Sequence, residues 1–230
     1  DALVEEGLLT QEECEEFDFG SNPVQIDYEK QYRQRFRLLR LAYGRSRIAE
    51  NPEFSRFTAE NADWLEDYAL FMAVKERFDG AAWNEWAEDI RKRWSFAMDY
   101  YRRECYFDIE FYKYLQFVFF GQWMKLKQYA NAKGIRIIGD IPIYVAFDSS
   151  DAWANPEMFQ FDGEYLPTAV AGCPPDSFSA TGQLWGNPLY RWEYHRQSGY
   201  RWWRRRMEHC FILYDVVRID HFRGFDEYYS

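Results

Sequence analysis

Histidine, paired cysteine, long apolar runs and net positive charge are all scarce in this chain, and each shortage removes a class of function. The three histidines, His195, His209 and His221, lie far apart and form no H-E-x-x-H pattern, so there is no zinc signature. The four cysteines, Cys14, Cys105, Cys173 and Cys210, show neither C-x-x-C spacing nor a pairing pattern, and reduced thiols in a cytoplasmic protein are the expectation. No apolar run approaches the roughly 18 residues of a membrane span, and the first residues hold no signal-like core. Lysine and arginine total 28 against 38 acidic residues, a formal charge of −10 that works against attraction to nucleic acid or an anionic membrane. A neutral substrate fits better.

What is present is apolar and aromatic. With 47% hydrophobic content over 230 residues, the chain is long enough to bury a core as one large domain or two small ones. It opens on Asp1 within an acidic, leucine-containing segment, which reads as the interior of a longer protein. Residues 1–134 are expected to be helical. Thr10 and Glu13 have the Ser/Thr-x-x-Glu form of a capping box. Asp27 caps a helix on which Tyr28, Tyr32, Phe36, Leu39 and Tyr43 share a face. Asn51-Pro52 offers another start. A second stripe of Trp64, Tyr68, Phe71 and Met72 stops at Asp79-Gly80. One long aromatic helix is expected over most of Phe96 to Lys133, ended by Gly134.

The texture changes at Ile135. "IRIIGDIPIYVA" is a short β-branched run with a polar break at Gly139-Asp140, and it reads as a buried strand. Asp162-Gly163 lies between two aromatic arms and predicts a small hairpin. "VAGCPPDSFSATGQLWGNPLY" is rich in Gly, Pro, Ser and Asn and is expected to be loop. A helix from about Gly199 to Leu213 carries the basic cluster Arg201 to Arg206, read as a solvated face. It leads into a second strand, Val216 to Ile219. Strand, crossover helix and strand are the parts of a right-handed βαβ unit. The insertion of roughly 50 residues before its helix far exceeds an ordinary βα loop. Long loops at the carboxyl ends of parallel strands are where α/β barrels build active sites, and Asp140 and Asp220 both fall on that edge.

A carboxylate at a buried strand end serves as nucleophile, general base or metal ligand. Retaining glycosidases need two carboxyl groups roughly 5 Å apart, one attacking the anomeric carbon and one delivering a proton to the departing oxygen. Arg218, two residues before Asp220, shares its face on a strand and is placed to hold that carboxylate ionised. A structural Arg-Asp ion pair at a strand end accounts for the pattern equally well. Most of the aromatic residues lie on helical stripes and read as core. Trp185, among Gly182, Gly186, Asn187 and Pro188, sits in a segment too polar to bury it easily and is a candidate ligand contact.

Three stretches carry more than their composition. "GDIPIYVAFDSSDAWANPEMF", "VAGCPPDSFSATGQLWGNPLYRW" and "RIDHFRGF" resemble, in order and spacing, signatures of the 4-α-glucanotransferases called amylomaltases or disproportionating enzymes, glycoside hydrolase family 77. "EEGLLT" and "DFGSNPVQIDY" are similar to the helical region of that family, so the resemblance covers essentially the whole chain. It implies an α/β fold: part of a (β/α)8 TIM barrel of the α-amylase-like type with a large helical subdomain. Residues 1–134 would form the helical region, and 135–230 the partial barrel with a long active-site loop over 145–197. Asp220 would be the nucleophile, with Arg218, His221 and Asp140 contacting the sugar. The loop carrying Pro175, Asp176, Phe178, Trp185 and Asn187 would cover the acceptor side and keep water from the intermediate.

The resemblance implies maltooligosaccharides and α-1,4-glucans as partners, no nucleic acid or membrane, and no metal or organic cofactor. Where α-amylases carry Asn-His this chain has Tyr144 and Val145, which favours a transferase over an α-amylase-type hydrolase. Ser177 replaces a tyrosine common in the lid, which leaves acceptor-side stacking open. The general acid/base Glu of the family belongs to the next barrel strand, and Glu227 follows Asp220 too closely to be it. A complete barrel needs about 250 residues, so an internal fragment is expected. Two other readings remain: a non-catalytic glucan-binding module built on Trp185, and a metal-dependent barrel hydrolase using Asp220 and His221 as ligands. On the fragment expectation, the 230 residues alone release no glucose from maltotriose; measurable turnover by the purified chain would defeat it.

Overall fold

The computed structural model describes residues 2–20, 22, 24–177 and 179–227, and its first helices begin at the caps their sequence supplies. After α1 (Ala2–Glu5), the Thr10 hydroxyl accepts from the Glu13 N–H while the Glu13 carboxylate accepts from the Thr10 N–H, a complete capping box opening α2 (Gln11–Glu16). Asp27 accepts from the Lys30 N–H to start α3 (Tyr28–Arg45). Asn51 accepts from the Glu53 N–H ahead of α4 (Pro52–Glu60). Following α5 (Ala62–Arg77), Asp79 and Gly80 take φ of 51° and 81° and turn the chain away.

Two helical expectations need correction. The stripe on α3 is core only in its second half: Phe36, Leu39 and Tyr43 pack against the buried cluster, whereas Tyr28 and Tyr32 are 78% and 58% exposed. The long helix is also broken. After α6 (Glu88–Arg91), α7 (Ser95–Glu104) and α8 (Tyr106–Ala132) meet at Cys105, whose φ of −102° and ψ of 16° interrupt the helical path. Cys105 is buried, and Ala97 and Met98 of α7 join the same core as Ile109, Phe111 and Tyr112 of α8. A straight helix would carry α7 past that core, so tertiary packing overrides local propensity.

Strand β1 (Ile138–Ile141) follows, and then the long excursion. It holds α9 (Ser150–Ala154), β2 (Val170–Cys173), β3 (Gln183–Pro188) and α10 (Trp192–Gln197) before the crossover helix α11 (Arg201–Leu213) and β4 (Val216–Ile219). β1 and β4 pair in parallel, with Ile138 opposite Val216 and Ile141 opposite Ile219. The segment expected to be loop instead contains an antiparallel pair, β2 with β3, irregular between Val170 and Gly172. Glycine makes the approach possible, because a Cβ on Gly172 would lie 2.3 Å from the Gln183 carbonyl oxygen. The Asp162-Gly163 turn is tied by the Asp162 carboxylate, which accepts from the Glu164 and Leu166 N–H groups, and flanked only by isolated bridges, Phe161 to Pro167 and Phe159 to Tyr190.

One buried cluster runs from Phe54 to Trp203 and joins the helices to the excursion. Trp153 lies at its centre, fully buried, with its indole N–H donating to the Ile90 carbonyl at 3.1 Å and the Arg93 guanidinium 4.2 Å above its ring. The basic cluster on α11 is only in part the solvated face its spacing predicts. Arg201 and Arg204 are exposed, but Arg205 pairs with Asp63 and Arg206 lies against Trp202 and Trp203. Arg206 donates to the carbonyls of Pro142 at 2.8 Å and Ile143 at 3.3 Å. Among the described residues no helix is long and apolar enough to cross a membrane.

Removing the central ring tests the core: Trp153→Ala lowers unfolding free energy by about 3–5 kcal/mol, read by denaturant titration. Burial also holds the His195 and His209 imidazoles below the ordinary histidine pKa. The unfolded chain therefore binds protons that the native chain refuses, and stability falls as pH drops from the ordinary histidine value toward these lowered ones. His195→Gln removes part of that slope; an unchanged pH dependence of unfolding in this variant would contradict it.

Candidate active site

The parallel register sets Asp140 directly opposite Arg218. Two residues later Asp220 leaves β4, its backbone N–H reaching the Ile141 carbonyl at 3.3 Å. Arg218 uses both arms of its fork, NH1 donating to Asp140 Oδ2 at 2.6 Å and NH2 to Asp220 Oδ1 at 2.5 Å. One guanidinium thus fixes two carboxylates at neighbouring strand ends. The three side chains are 53–60% exposed. Ion pairs so open to water contribute about 0–1 kcal/mol, so stability alone is a weak reason for the arrangement. What it provides is orientation.

His221 follows in the left-handed region, φ 49°, and starts a tight turn over Phe222–Phe225. Gly224 closes the turn, its N–H donating to the His221 carbonyl at 2.9 Å. A Cβ on Gly224 would stand 2.9 Å from Ile143 Cδ1 and 3.1 Å from His221 Cδ2, so glycine lets the turn settle on the segment after β1 without displacing those side chains. Trp185, 39% exposed on β3, meets the His221 ring edge-on, centroids 5.0 Å apart at 87°. Its ring also lies 6.4 Å from that of buried Tyr144, which in turn stacks on Tyr190 at 6.0 Å.

The remaining lid residues divide. Asn187 turns its amide to the backbone, Nδ2 donating to the Val145 carbonyl at 2.7 Å. Asp176 closes the turn beyond β2, its carboxylate accepting from the Ser179 N–H at 2.8 Å. Phe178 lies outside the described residues. The structure therefore brings Asp140, Arg218, Asp220, His221 and Trp185 together, and places Asn187 at the root of the strand that delivers Trp185. Sequence reasoning missed Tyr144 as the floor beneath Trp185; it stood out there only as a departure from the Asn-His of α-amylases. It also missed Gly224, for which the signal was a glycine four residues after a strand-end aspartate.

Chemically, two carboxylates sharing a guanidinium, an imidazole and an indole face suit a neutral ligand with many hydroxyl groups. The carboxylates accept hydrogen bonds, and the indole covers the apolar face of a ring. Among the described residues no cluster of His, Cys, Asp or Glu could hold a metal ion.

A family model described as 4-alpha-glucanotransferase matches residues 1–230. A 4-alpha-glucanotransferase of Streptococcus pneumoniae is 48% identical over 232 residues, covering 100% of this chain and 46% of that protein. One from Clostridium butyricum is 46% identical over 231 residues, with 100% and 47% covered. Among solved structures, an amylomaltase from Streptococcus agalactiae in complex with acarbose superimposes with a TM-score of 0.93 at 40% identity, over 99% of this chain and 46% of that one. The chain spans about half the length of the curated relatives it matches.

The Arg218 fork separates the two readings of this cluster. Arg218→Lys, which replaces the fork with a point charge, changes unfolding free energy by less than about 1 kcal/mol. A loss of several kcal/mol in denaturant unfolding would return the cluster to a structural ion pair.

Proposed function

The chain belongs to the 4-alpha-glucanotransferases of glycoside hydrolase family 77, and from that premise we propose that it supplies the nucleophile and sugar contacts of an enzyme moving α-1,4-glucan segments between maltooligosaccharides. The observation that carries the reading is the Arg218 fork across Asp140 and Asp220 at the carboxyl ends of two parallel strands. We read β1, α11 and β4 as consecutive parts of a (β/α)8 barrel of the α-amylase-like type. Residues 1–134 are its helical subdomain, and residues 135–230 carry the barrel segment with its loop over 145–197.

In this reading Asp220 attacks the anomeric carbon of the donor glucan. Arg218 occupies Oδ1, so the attack falls to Oδ2. The new Oδ2–C1 bond forms as the C1–O4 bond breaks, and the departing O4 takes a proton from the general acid that the family resemblance places on the following barrel strand. The acceptor's 4-hydroxyl then attacks the β-glucosyl intermediate, returns its proton to that same group and frees Asp220. Two inversions restore the α configuration. Asp140 and His221 hold the sugar in the donor subsite; Asp176 keeps the acceptor side that the resemblance implies, while the contact of Trp185 with His221 extends that residue's cover from the acceptor side to the donor subsite. The acarbose complex of the streptococcal amylomaltase supports glucans as the ligands.

Water competes with the acceptor for the intermediate, so transfer requires cover over C1. The β2–β3 hairpin is positioned to give it, since Trp185 already contacts the residue after the nucleophile. In the full-length protein, maltotriose becomes glucose and a ladder of longer chains, resolved by chromatography. Asp220→Asn lowers that rate by at least about a thousandfold, the scale of a lost covalent nucleophile. Hydrolysis without chain lengthening, or no reaction with maltotriose, would defeat the assignment.

A further inference from the structure

We infer that Asn187 is a positioning residue: its side-chain amide, bonded to the Val145 carbonyl, sets how closely Trp185 covers the donor site and so how well transfer competes with hydrolysis. The inference rests on the transferase reading and extends it to a residue that the resemblance would place on the sugar.

Of the hairpin that carries Trp185, strand β2 is anchored, with Ala171 buried in the core, while the strand bearing the indole is the open one. From Gln183 to Gly186 strand β3 is exposed, and only its last residues, Asn187 and Pro188, enter the fold. The Asn187 amide donates to Val145 O at 2.7 Å and forms the tie nearest the root of that exposed stretch. Trp185 lies just two residues beyond it, with Gly186 between them at φ 78°. Glycine there gives the backbone freedom, so the indole's position depends on its neighbours' anchors.

The other end of the tie is rigid. Segment Pro142–Val145 leaves β1 with its carbonyls held from several directions: Pro142 O accepts from Arg206, Ile143 O from both Arg206 and the Tyr190 hydroxyl, and Val145 O from Asn187. Arg206 is itself backed by Trp202 and Trp203, and Tyr190 is fully buried. The first two ties fix the segment in the core. The third exports that fixed position to the hairpin. Trp185 then rests against Tyr144, which belongs to the same segment, and against His221, which follows Asp220. Asn187 thus acts on the reacting atoms through Trp185.

The test uses the full-length protein with maltotriose, measuring longer chains formed against reducing ends released. Asn187→Asp keeps the shape but removes the donor. It is expected to raise the hydrolysis-to-transfer ratio about fivefold, the equivalent of one neutral hydrogen bond. Asn187→Gln keeps an amide donor on a longer arm and is expected to stay within about twofold of the parent. Because Asn187 acts through the indole, adding Asn187→Asp to Trp185→Ala should change the ratio no further. An unchanged ratio in Asn187→Asp overturns the inference, as does full additivity with Trp185→Ala. Equal losses in the Asp and Gln variants with a fallen Tm make Asn187 a folding residue only, and also overturn it. A parent protein that makes no longer chains overturns the transferase reading instead.

Discussion

Everything at the site depends on the register of one parallel strand pair. Sliding β4 by a single residue past β1 would turn Arg218 to the opposite face and separate both carboxylates from their shared cation. The register is fixed outside the strands. Asp215 accepts from the Ile137 N–H and the Asn131 amide, pinning the entry to β4 against the entry to β1. Those bonds, the Ile137 N–H first, hold the Asp215 carboxyl below the ordinary carboxylate range. Tyr214 presses its ring on β1 where Gly139 has no side chain; a Cβ there would lie 2.0 Å from the ring. The glycine that broke the hydrophobic run in the sequence is thus a packing requirement of the site's own strand.

Much of this was legible from residue order, and what was legible was local. Caps at Thr10, Asp27 and Asn51 act through neighbours within three residues, and the structure uses each of them. The βαβ reading followed from β-branched runs flanking a helical stripe, and Arg218 beside Asp220 followed from the two-residue period of a strand. The failures are long-range. Nothing near Cys105 breaks a helix; the break comes from a core assembled by residues as distant as Phe54 and Trp203. The β2–β3 pair includes Gly172, Gly186, Asn187 and Pro188 and is joined through a Gly-, Pro- and Ser-rich stretch that reads as turn, yet it forms because its ladder uses backbone groups and its close approach needs glycine.

Arg206 shows the same limit in one side chain. In sequence it is the last member of a basic run, and helical spacing sends it to solvent. In space its neighbours Trp202 and Trp203 give it a flat aromatic bed, from which the guanidinium reaches carbonyls on the segment after β1. A planar cation that stacks and donates at once is suited to holding a backbone that has left its sheet, where strand hydrogen bonds no longer reach. The aromatic richness of the chain is mainly of this supporting kind; of the rings described, Trp185 is the one that reaches His221, the neighbour of Asp220.

The long excursion between β1 and α11 is tethered near both ends, by the Val145 carbonyl on one side and by Tyr190 on the other. Between those moorings Trp153, Phe159 and Ala171 are buried in the core, so the freedom lies in the exposed stretch 174–177, where insertions and deletions leave Asp220 where it is. A change of length in that stretch reshapes what lies over the Arg218 cluster without moving the two strand ends that hold it, so cover and cluster are mechanically separate parts of one chain.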